Sequence, residues 1–167
     1  MPISNSSSGT PKPSLNLVQL SDVTPKPVNW LWPGVIPKGK LSLLVGHPGL
    51  GKSTLTAAIA AIVSTGRPWP VCDVNADVGE VIFISSEDDL KDTVKPRSIA
   101  AGAEDSKIGF IRSVSVGQNR NRPFAIKKDI EKLSQYDIDL LIVDPITSNL
   151  AGVEMNNTGE VREVLEL

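Results

Sequence analysis

Aromatic residues, cysteine and histidine are all scarce in this chain. Aromatic residues make up only 4% of its 167 residues, so a hydrophobic core has to be built mainly from valine, isoleucine, leucine and alanine. Cys72 is the only cysteine, which excludes an intramolecular disulfide, and His47 is the only histidine. Structural zinc sites use clusters of cysteine and histidine, so we do not expect a metal site built from such ligands.

Long apolar runs and a large excess of one charge are missing as well. No segment approaches the ~18 consecutive apolar residues of a membrane-spanning helix. The first residues, MPISNSSSGTPKPS, lack the basic and apolar regions of a signal peptide. The net charge of -2 does not suggest a protein that coats nucleic acid, although it leaves room for a local basic patch. We therefore expect a single cytoplasmic domain with no membrane partner.

Composition divides the chain near residue 28. Residues 1–27 are rich in serine, proline, asparagine, threonine and lysine. Such a segment buries too little apolar surface to offset the entropy cost of ordering it. We interpret residues 1–27 as a tail or linker and expect the folded domain to span residues 28–167.

Apolar runs alternate with helical patterns through the predicted domain. Four runs are typical of strands: KLSLLVG, EVIFISSEDD, KIGFIRSV and IDLLIVDPI. Helices are expected from Lys52 to about Thr65 with Gly66 as the C-terminal cap, from about Asp89 to Ala101, and from Phe124 to Tyr136. The alternation predicts an α/β fold in which helices cover a parallel sheet. Ligands bind at the carboxyl ends of such strands, so the glycine loop and the acids that follow two strands should share one edge.

The octapeptide GHPGLGKS fits the phosphate-loop pattern G-x-x-x-x-G-K-[ST], and it lies between a predicted strand and a predicted helix. Glycines let the backbone curl so that amide groups point at phosphate oxygens, and the helix N-terminus attracts the anion. Lys52 would then reach the β- and γ-phosphates, and Ser53 would bind Mg²⁺. The alternative is a glycine-rich turn that binds nothing. The predicted cradle comprises Gly46, His47, Pro48, Gly49, Leu50, Gly51, Lys52 and Ser53.

Two acidic positions follow apolar strands. Asp144 ends LLIVD, where a carboxylate can hold Mg²⁺ together with Ser53; the alternative is an aspartate that begins a turn before a proline. Glu87 follows VIFISS, where a carboxylate can orient and deprotonate an attacking water. Asp88 and Asp89 compete with Glu87 for that role, and the whole SSEDD stretch could instead cap the next helix.

Arginines and tryptophans outside these motifs offer weaker signals. Arg112, Arg120 and Arg122 could contact phosphate or nucleic acid, but a solvated loop is the favoured interpretation. Trp30, Trp32 and Trp69 could stack on a base. For Trp30 and Trp32 we favour packing of the N-terminal part of the domain against the core.

Three stretches together resemble a known family: WLWPGVIPKGKLSLLVGHPGLGKSTL, GEVIFISSEDD and LLIVDPITSNLAG. They are similar to the RecA-like AAA-type ATPases of plasmids and phages, of which the RepA-type replicative hexameric helicase is the best-known relative. The resemblance covers about residues 28–167. It implies a P-loop NTPase of RecA-like fold that hydrolyses ATP with Mg²⁺. Carried over by residue, it implies a cradle from Gly46 to Ser53 with Thr54 near the nucleotide, a catalytic Glu87 and a metal-linked Asp144.

The resemblance also implies partners and a departure from the family pattern. Relatives form homo-oligomeric rings on single-stranded DNA, with an arginine or lysine finger supplied by the neighbouring subunit. They continue beyond the equivalent of Leu167, and their next strand lies between those of Leu41–Val45 and Leu140–Val143. We therefore expect a C-terminally truncated sheet whose two edges are exposed there. Alternatives to a helicase motor are a non-catalytic fragment that binds nucleotide or a partner, and an ATPase of recombination or repair.

Overall fold

The described part of the chain alternates short strands with helices. The structure is a computed structural model, and it describes residues 16–85, 88–117 and 120–150. The strands are β1 (Trp30–Trp32), β2 (Ile36–Pro37), β3 (Val81–Ile84), β4 (Ile108–Ile111), β5 (Val114–Ser115), β6 (Asn121–Arg122) and β7 (Leu140–Val143). The α-helices are α1 (Lys52–Thr65), α2 (Lys95–Ala100) and α3 (Ile126–Asp129). A π-helical turn spans Leu90–Val94, and 3-10 segments lie at Leu20–Asp22, Asp105–Lys107, Ile130–Gln135 and Thr147–Asn149.

A three-stranded parallel sheet in the order β4–β3–β7 lies at the centre of the fold. Val81 in β3 is opposite Ile108 in β4 and Leu140 in β7, and this register continues to the end of each strand. Nearly all residues of these strands are apolar, as is usual for parallel strands that are covered on both faces. The predicted α/β fold with a parallel sheet and flanking helices is confirmed.

Helix α1 begins and ends at the residues that its flanking glycines predict. Gly51 precedes it with φ 79° and Gly66 follows it with φ 71°, which is the left-handed region where glycine is favoured. The Gly66 amide donates to the Ile62 carbonyl at 2.8 Å and so closes the last turn. Burial is confined to part of the helix: Ala57, Ala60, Ala61, Val63 and Ser64 are buried.

One hydrophobic core joins α1, the sheet and the N-terminal hairpin. Ala60 and Val63 pack with Val81, Phe83 and Ile142, which places α1 against the sheet. The β1–β2 hairpin is antiparallel, and its Leu31 enters the same core.

Two tryptophan rings close this core on the hairpin side. The Trp32 ring stacks on the buried Trp69 ring, with 4.9 Å between centroids and 9° between planes. The predicted packing of this segment against the core is therefore confirmed for Trp32, whereas Trp30 is 41% exposed. Within the described residues, the buried indole N–H groups of Trp32 and Trp69 have no hydrogen-bond partner.

A second core lies near the carboxyl ends of the strands. Ile84 packs there with Phe124, Ile126, Leu133 and Leu150. The segment predicted as a helix from Phe124 to Tyr136 forms only the short α3 and then a 3-10 helix, Ile130–Gln135. No helix in the described ranges is long and apolar enough to cross a membrane.

Two more predicted elements differ in the structure. Residues 41–47 form no strand, and Leu41, Leu43, Leu44 and Val45 are 46–84% exposed, so the expectation of a buried strand there was wrong. The predicted helix from Asp89 to Ala101 begins as the π-helical turn and becomes α-helical only at Lys95, with Pro96 in its first turn. The predicted tail up to residue 15 and the last part of the predicted domain, residues 151–167, lie outside the described residues.

Candidate functional site

The glycine loop curls back on itself in front of α1. Gly49 and Gly51 have φ of 80° and 79°, a conformation that a side chain would strain. The Lys52 ammonium donates to the carbonyl oxygens of Gly46 at 2.8 Å and His47 at 2.9 Å, so the lysine side chain lies across the loop. The positive charge of Lys52 is thus held at the backbone carbonyls of the loop itself.

The first turn of α1 lacks a side-chain cap. Gly51 is the N-cap residue and provides no side-chain acceptor for the first backbone amides of the helix. These amides have no partner inside the helix and carry the positive end of its dipole. An anion in the loop would supply the missing acceptors, as expected for a phosphate cradle.

Ser53 and Asp144 meet at the carboxyl edge of the sheet. Ser53 Oγ, in the first turn of α1, donates to Asp144 Oδ2 at 2.8 Å, and both side chains are partly buried. The Asp144 amide donates to the Ile84 carbonyl at 3.0 Å, which extends the pairing of β7 with β3 to the aspartate. The two residues predicted to hold a metal are thus 91 positions apart in the chain and in direct contact.

A small cavity opens beside this hydrogen bond. Its volume is about 20 Å³, which is space for roughly one water molecule. Its lining is mixed, and Phe83 and Phe110 of the sheet are among its apolar residues. The polar lining residues are Ser53, Thr56, Ser85, Asp88, Arg97, Ser98 and Asp144.

One acidic residue that follows β3, Asp88, reaches the same cavity. Glu87, the predicted catalytic carboxylate, lies outside the described residues. Asp88 lines the cavity and accepts a hydrogen bond at 2.9 Å from Nη1 of Arg97 in α2. Asp89 acts as the helix cap that the alternative interpretation expected, since its carboxylate accepts the Lys91 amide at 2.7 Å.

The candidate arginines are not gathered at this cavity. Arg122 makes a bidentate ion pair with Asp129, with 2.6 Å from each guanidinium nitrogen to a carboxylate oxygen. The Asp129 side chain is fully buried and also accepts bonds from Lys132 and the Ala125 amide. The Arg122 guanidinium therefore holds the pKa of the Asp129 carboxyl well below its usual range. Arg122 has a structural partner rather than the solvated position that the sequence favoured.

Arg112, which directly follows β4, lines a second cavity. This groove has a volume of about 340 Å³ and a mixed lining that includes Phe110, Phe124, Lys132 and Tyr136. No residue of the glycine loop lines this second cavity, and among the described residues Phe110 is the one that lines both cavities. No sequence motif pointed to it.

Sequence reasoning missed the polar residues that α1 and α2 bring to the first cavity. Thr56 lies one turn after Ser53, so helical spacing could have placed it on the same face. Arg97 and Ser98 carried no usable signal, because the π-helical turn before them changes the direction in which α2 presents its side chains. Ser85 follows β3 directly, and only its strand-end position could have singled it out.

The oxygen ligands at the edge suit a hard cation. Ser53 supplies a hydroxyl and Asp144 a carboxylate, which are the donor types that Mg²⁺ binds. Within the described residues there is no group of three or more histidine, cysteine or acidic side chains that could hold a metal by itself. A Mg²⁺ ion here would need further ligands from water or phosphate, which is its usual situation beside nucleotides.

Comparison with known proteins supports one family assignment. The family model described as an AAA domain matches residues 10–166, nearly the whole chain. The match includes part of the segment interpreted as a tail, whose boundary at residue 27 stays a prediction. No curated protein and no solved structure matches the chain at a comparable level of significance. The parallel sheet with flanking helices is consistent with a RecA-like P-loop domain of this family.

Proposed function

The chain belongs to the AAA domain family, whose members bind nucleotides and are generally ATPases, and we propose that this chain binds ATP with Mg²⁺ and hydrolyses it. The observation that carries the proposal is the 2.8 Å hydrogen bond from Ser53 to Asp144. It brings the first turn of α1 and the end of β7 together directly behind the glycine loop. A turn without nucleotide function would not require this pairing of a hydroxyl and a carboxylate.

The loop residues Gly46–Thr54 would hold the phosphates. The backbone amides near Gly49 and Gly51 would donate to phosphate oxygens, and Lys52 would exchange its two loop carbonyls for the more negative β- and γ-phosphates. A lysine that already lies across the loop needs only a local rearrangement for this exchange. It would then stabilise the negative charge that develops during phosphoryl transfer.

Ser53 and Asp144 would hold Mg²⁺, the serine through its hydroxyl and the aspartate through its carboxylate or a bridging water. Mg²⁺, when bound, neutralises charge on the β- and γ-phosphates. The attacking water would be oriented by Glu87, with Asp88 as the second candidate, because Asp88 lines the cavity next to Ser53. The Glu87→Gln variant should therefore keep ATP binding and lose turnover.

The more specific role that we propose is a DNA helicase or replication motor of the RepA type, working in the cytoplasm of a plasmid- or phage-bearing cell. The support is the sequence resemblance alone. This role requires a homo-oligomeric ring, a finger residue from the neighbouring subunit and single-stranded DNA as partner. Light scattering with ATP and fluorescence anisotropy with a labelled single-stranded oligonucleotide would test the ring and the DNA.

The decisive experiment for nucleotide binding replaces Lys52. ATP affinity, measured by calorimetry with Mg²⁺, should fall at least about tenfold in Lys52→Ala, equal to ~1.4 kcal/mol. The matched control is Lys40→Ala, which removes an exposed lysine from the chain just before the loop and should leave the affinity within about twofold. Unchanged affinity in Lys52→Ala would remove the basis for the assignment.

A second candidate is a chain that binds nucleotide or a partner without turnover. It is favoured by the exposure of Leu41–Val45, because the loop is then fixed by α1 after it but by no strand before it. Phosphate release from a monodisperse sample, with and without single-stranded DNA, separates the two candidates. DNA-stimulated turnover that disappears in Lys52→Ala would rule out the second one.

A further inference from the structure

An ion pair joins α2 to Asp88 at the small cavity. Arg97 Nη1 lies 2.9 Å from Asp88 Oδ2, and both residues line the cavity together with Ser53 and Asp144. Their side chains are 42% and 36% exposed, so the pair is solvated and worth only ~0–1 kcal/mol of stability. Its placement matters more than its strength, since it connects two elements at the site.

The π-helical turn directs Arg97 towards this cavity. Asp89 caps the turn through its carboxylate, and its carbonyl accepts the Val94 amide at 3.0 Å, a bond to the fifth residue along the chain. A π-turn contains one residue more than an α-helical turn, which rotates every later side chain by about 100°. Arg97 therefore faces Asp88 because the helix starts with this turn.

We propose that Arg97 is a positioning residue, on the premise that the site hydrolyses ATP as proposed above. Through Asp88, it holds the two described acidic residues before the π-helical turn, Asp88 and Asp89, beside the Ser53–Asp144 pair. Arg97 itself touches neither nucleotide nor water in this scheme. A displacement of about 1 Å in a reacting group can lower a rate about 100-fold. A tether worth up to ~1 kcal/mol can therefore change turnover by up to about fivefold, because it shifts the population of the correct position by that factor.

The test compares Arg97→Gln, Asp88→Asn, the double variant and Arg97→Lys. We expect kcat to fall about three- to fivefold in both single variants, a cost of up to ~1 kcal/mol, and no further in the double variant, because each change breaks the same contact. The dissociation constant for ATP should stay within about twofold in all of them. Arg97→Lys keeps the charge and should recover part of the lost turnover.

The matched control is Lys91→Gln, which removes one exposed cationic side chain from the π-helical turn without touching Asp88. Its kcat should equal that of the unaltered protein. Additive losses in the double variant would overturn the proposal. So would a tenfold loss of ATP affinity in Arg97→Gln with normal affinity in Asp88→Asn, since Arg97 would then contact the nucleotide directly.

A second readout separates this proposal from the proposed function. Amide hydrogen exchange of the nucleotide-free protein should become faster in peptides covering residues 85–95 in Arg97→Gln and in Asp88→Asn, and stay unchanged in α1. If the unaltered protein does not hydrolyse ATP, the proposed function fails and the exchange data still decide whether Arg97 holds the segment. Equal exchange in all variants would overturn the positioning role.

Discussion

Two apolar stretches of similar composition behave differently in this molecule. Val81–Ile84 is a strand with a neighbour on each side, and its Val81, Phe83 and Ile84 are at most 7% exposed. Leu41–Val45 is apolar except for Ser42, but it forms no strand and its apolar residues are 46–84% exposed. An apolar run becomes a buried strand only where neighbouring strands accept its backbone hydrogen bonds.

The contrast bears directly on the candidate site. β7 pairs only with β3 among the described strands, so the edge of β7 that faces away from β3 is unpaired in that part of the chain. The glycine loop continues from Leu41–Val45, whereas Asp144 continues from the paired strand β7. Asp144 is thus held in place by the paired strand β7. The glycine loop is held mainly by α1 and by the Ser53–Asp144 hydrogen bond.

The largest expected effect comes from truncating isomeric side chains in the two stretches. Ile84→Ala removes three carbons from a residue that is 1% exposed, and it should lower the free energy of unfolding by about 4 kcal/mol. Leu43→Ala removes the same number of carbons from a residue that is 61% exposed. This variant should change the free energy of unfolding by less than ~0.5 kcal/mol. Urea unfolding followed by circular dichroism measures both. Equal losses would mean that Leu43 is buried in solution.

The next effect concerns the buried carboxylate of Asp129 and its ion pairs with Arg122 and Lys132, which we call the charged anchor of the second core. Asp129 is fully buried and accepts four hydrogen bonds, two of them from Arg122. Asp129→Asn leaves Arg122 and Lys132 without their carboxylate partner and should cost about 3 kcal/mol at pH 7 in the same urea experiment. Glu131→Gln, an exposed neighbour in the 3-10 helix, is the control and should be nearly neutral. A loss below ~1 kcal/mol in Asp129→Asn would contradict the anchor role.

The same anchor predicts a pH dependence with a definite sign. Because Arg122 lowers the pKa of folded Asp129 below the ordinary value of 3.8, the unfolded chain binds the proton more readily than the folded one. The carboxylate therefore contributes its full stability above about pH 5, and loses it as the pH falls below about 4. The difference in unfolding free energy between the unaltered protein and Asp129→Asn should shrink from pH 6 to pH 3. A constant difference over that range would show that Asp129 has an ordinary pKa.

These regions also show how far the sequence could be read. Local signals were sufficient for α1, because Gly51 and Gly66 flank its two ends. They were also sufficient for β3, β4 and β7, because each of these apolar runs has a neighbouring strand to pair with. Local signals failed for Leu41–Val45. An apolar run indicates that its residues favour burial, but it does not show whether a neighbouring strand is present to pair with them. The acids Asp88 and Asp144 were singled out by position, whereas Arg97 was missed because its direction depends on the π-helical turn.

The smallest expected effect lies at the start of the exposed stretch. Lys38 and Asp77 form an ion pair at 3.1 Å, with side chains 40% and 83% exposed, so water and salt screen it strongly. Asp77→Asn should lower the free energy of unfolding by no more than ~0.5 kcal/mol, a small fraction of the loss from Asp129→Asn. The same urea experiment at low and high salt measures it, and the difference should vanish in 1 M NaCl. A loss near that of the buried pair would mean that Asp77 fixes the segment before the glycine loop, and the site would then have a second firm support.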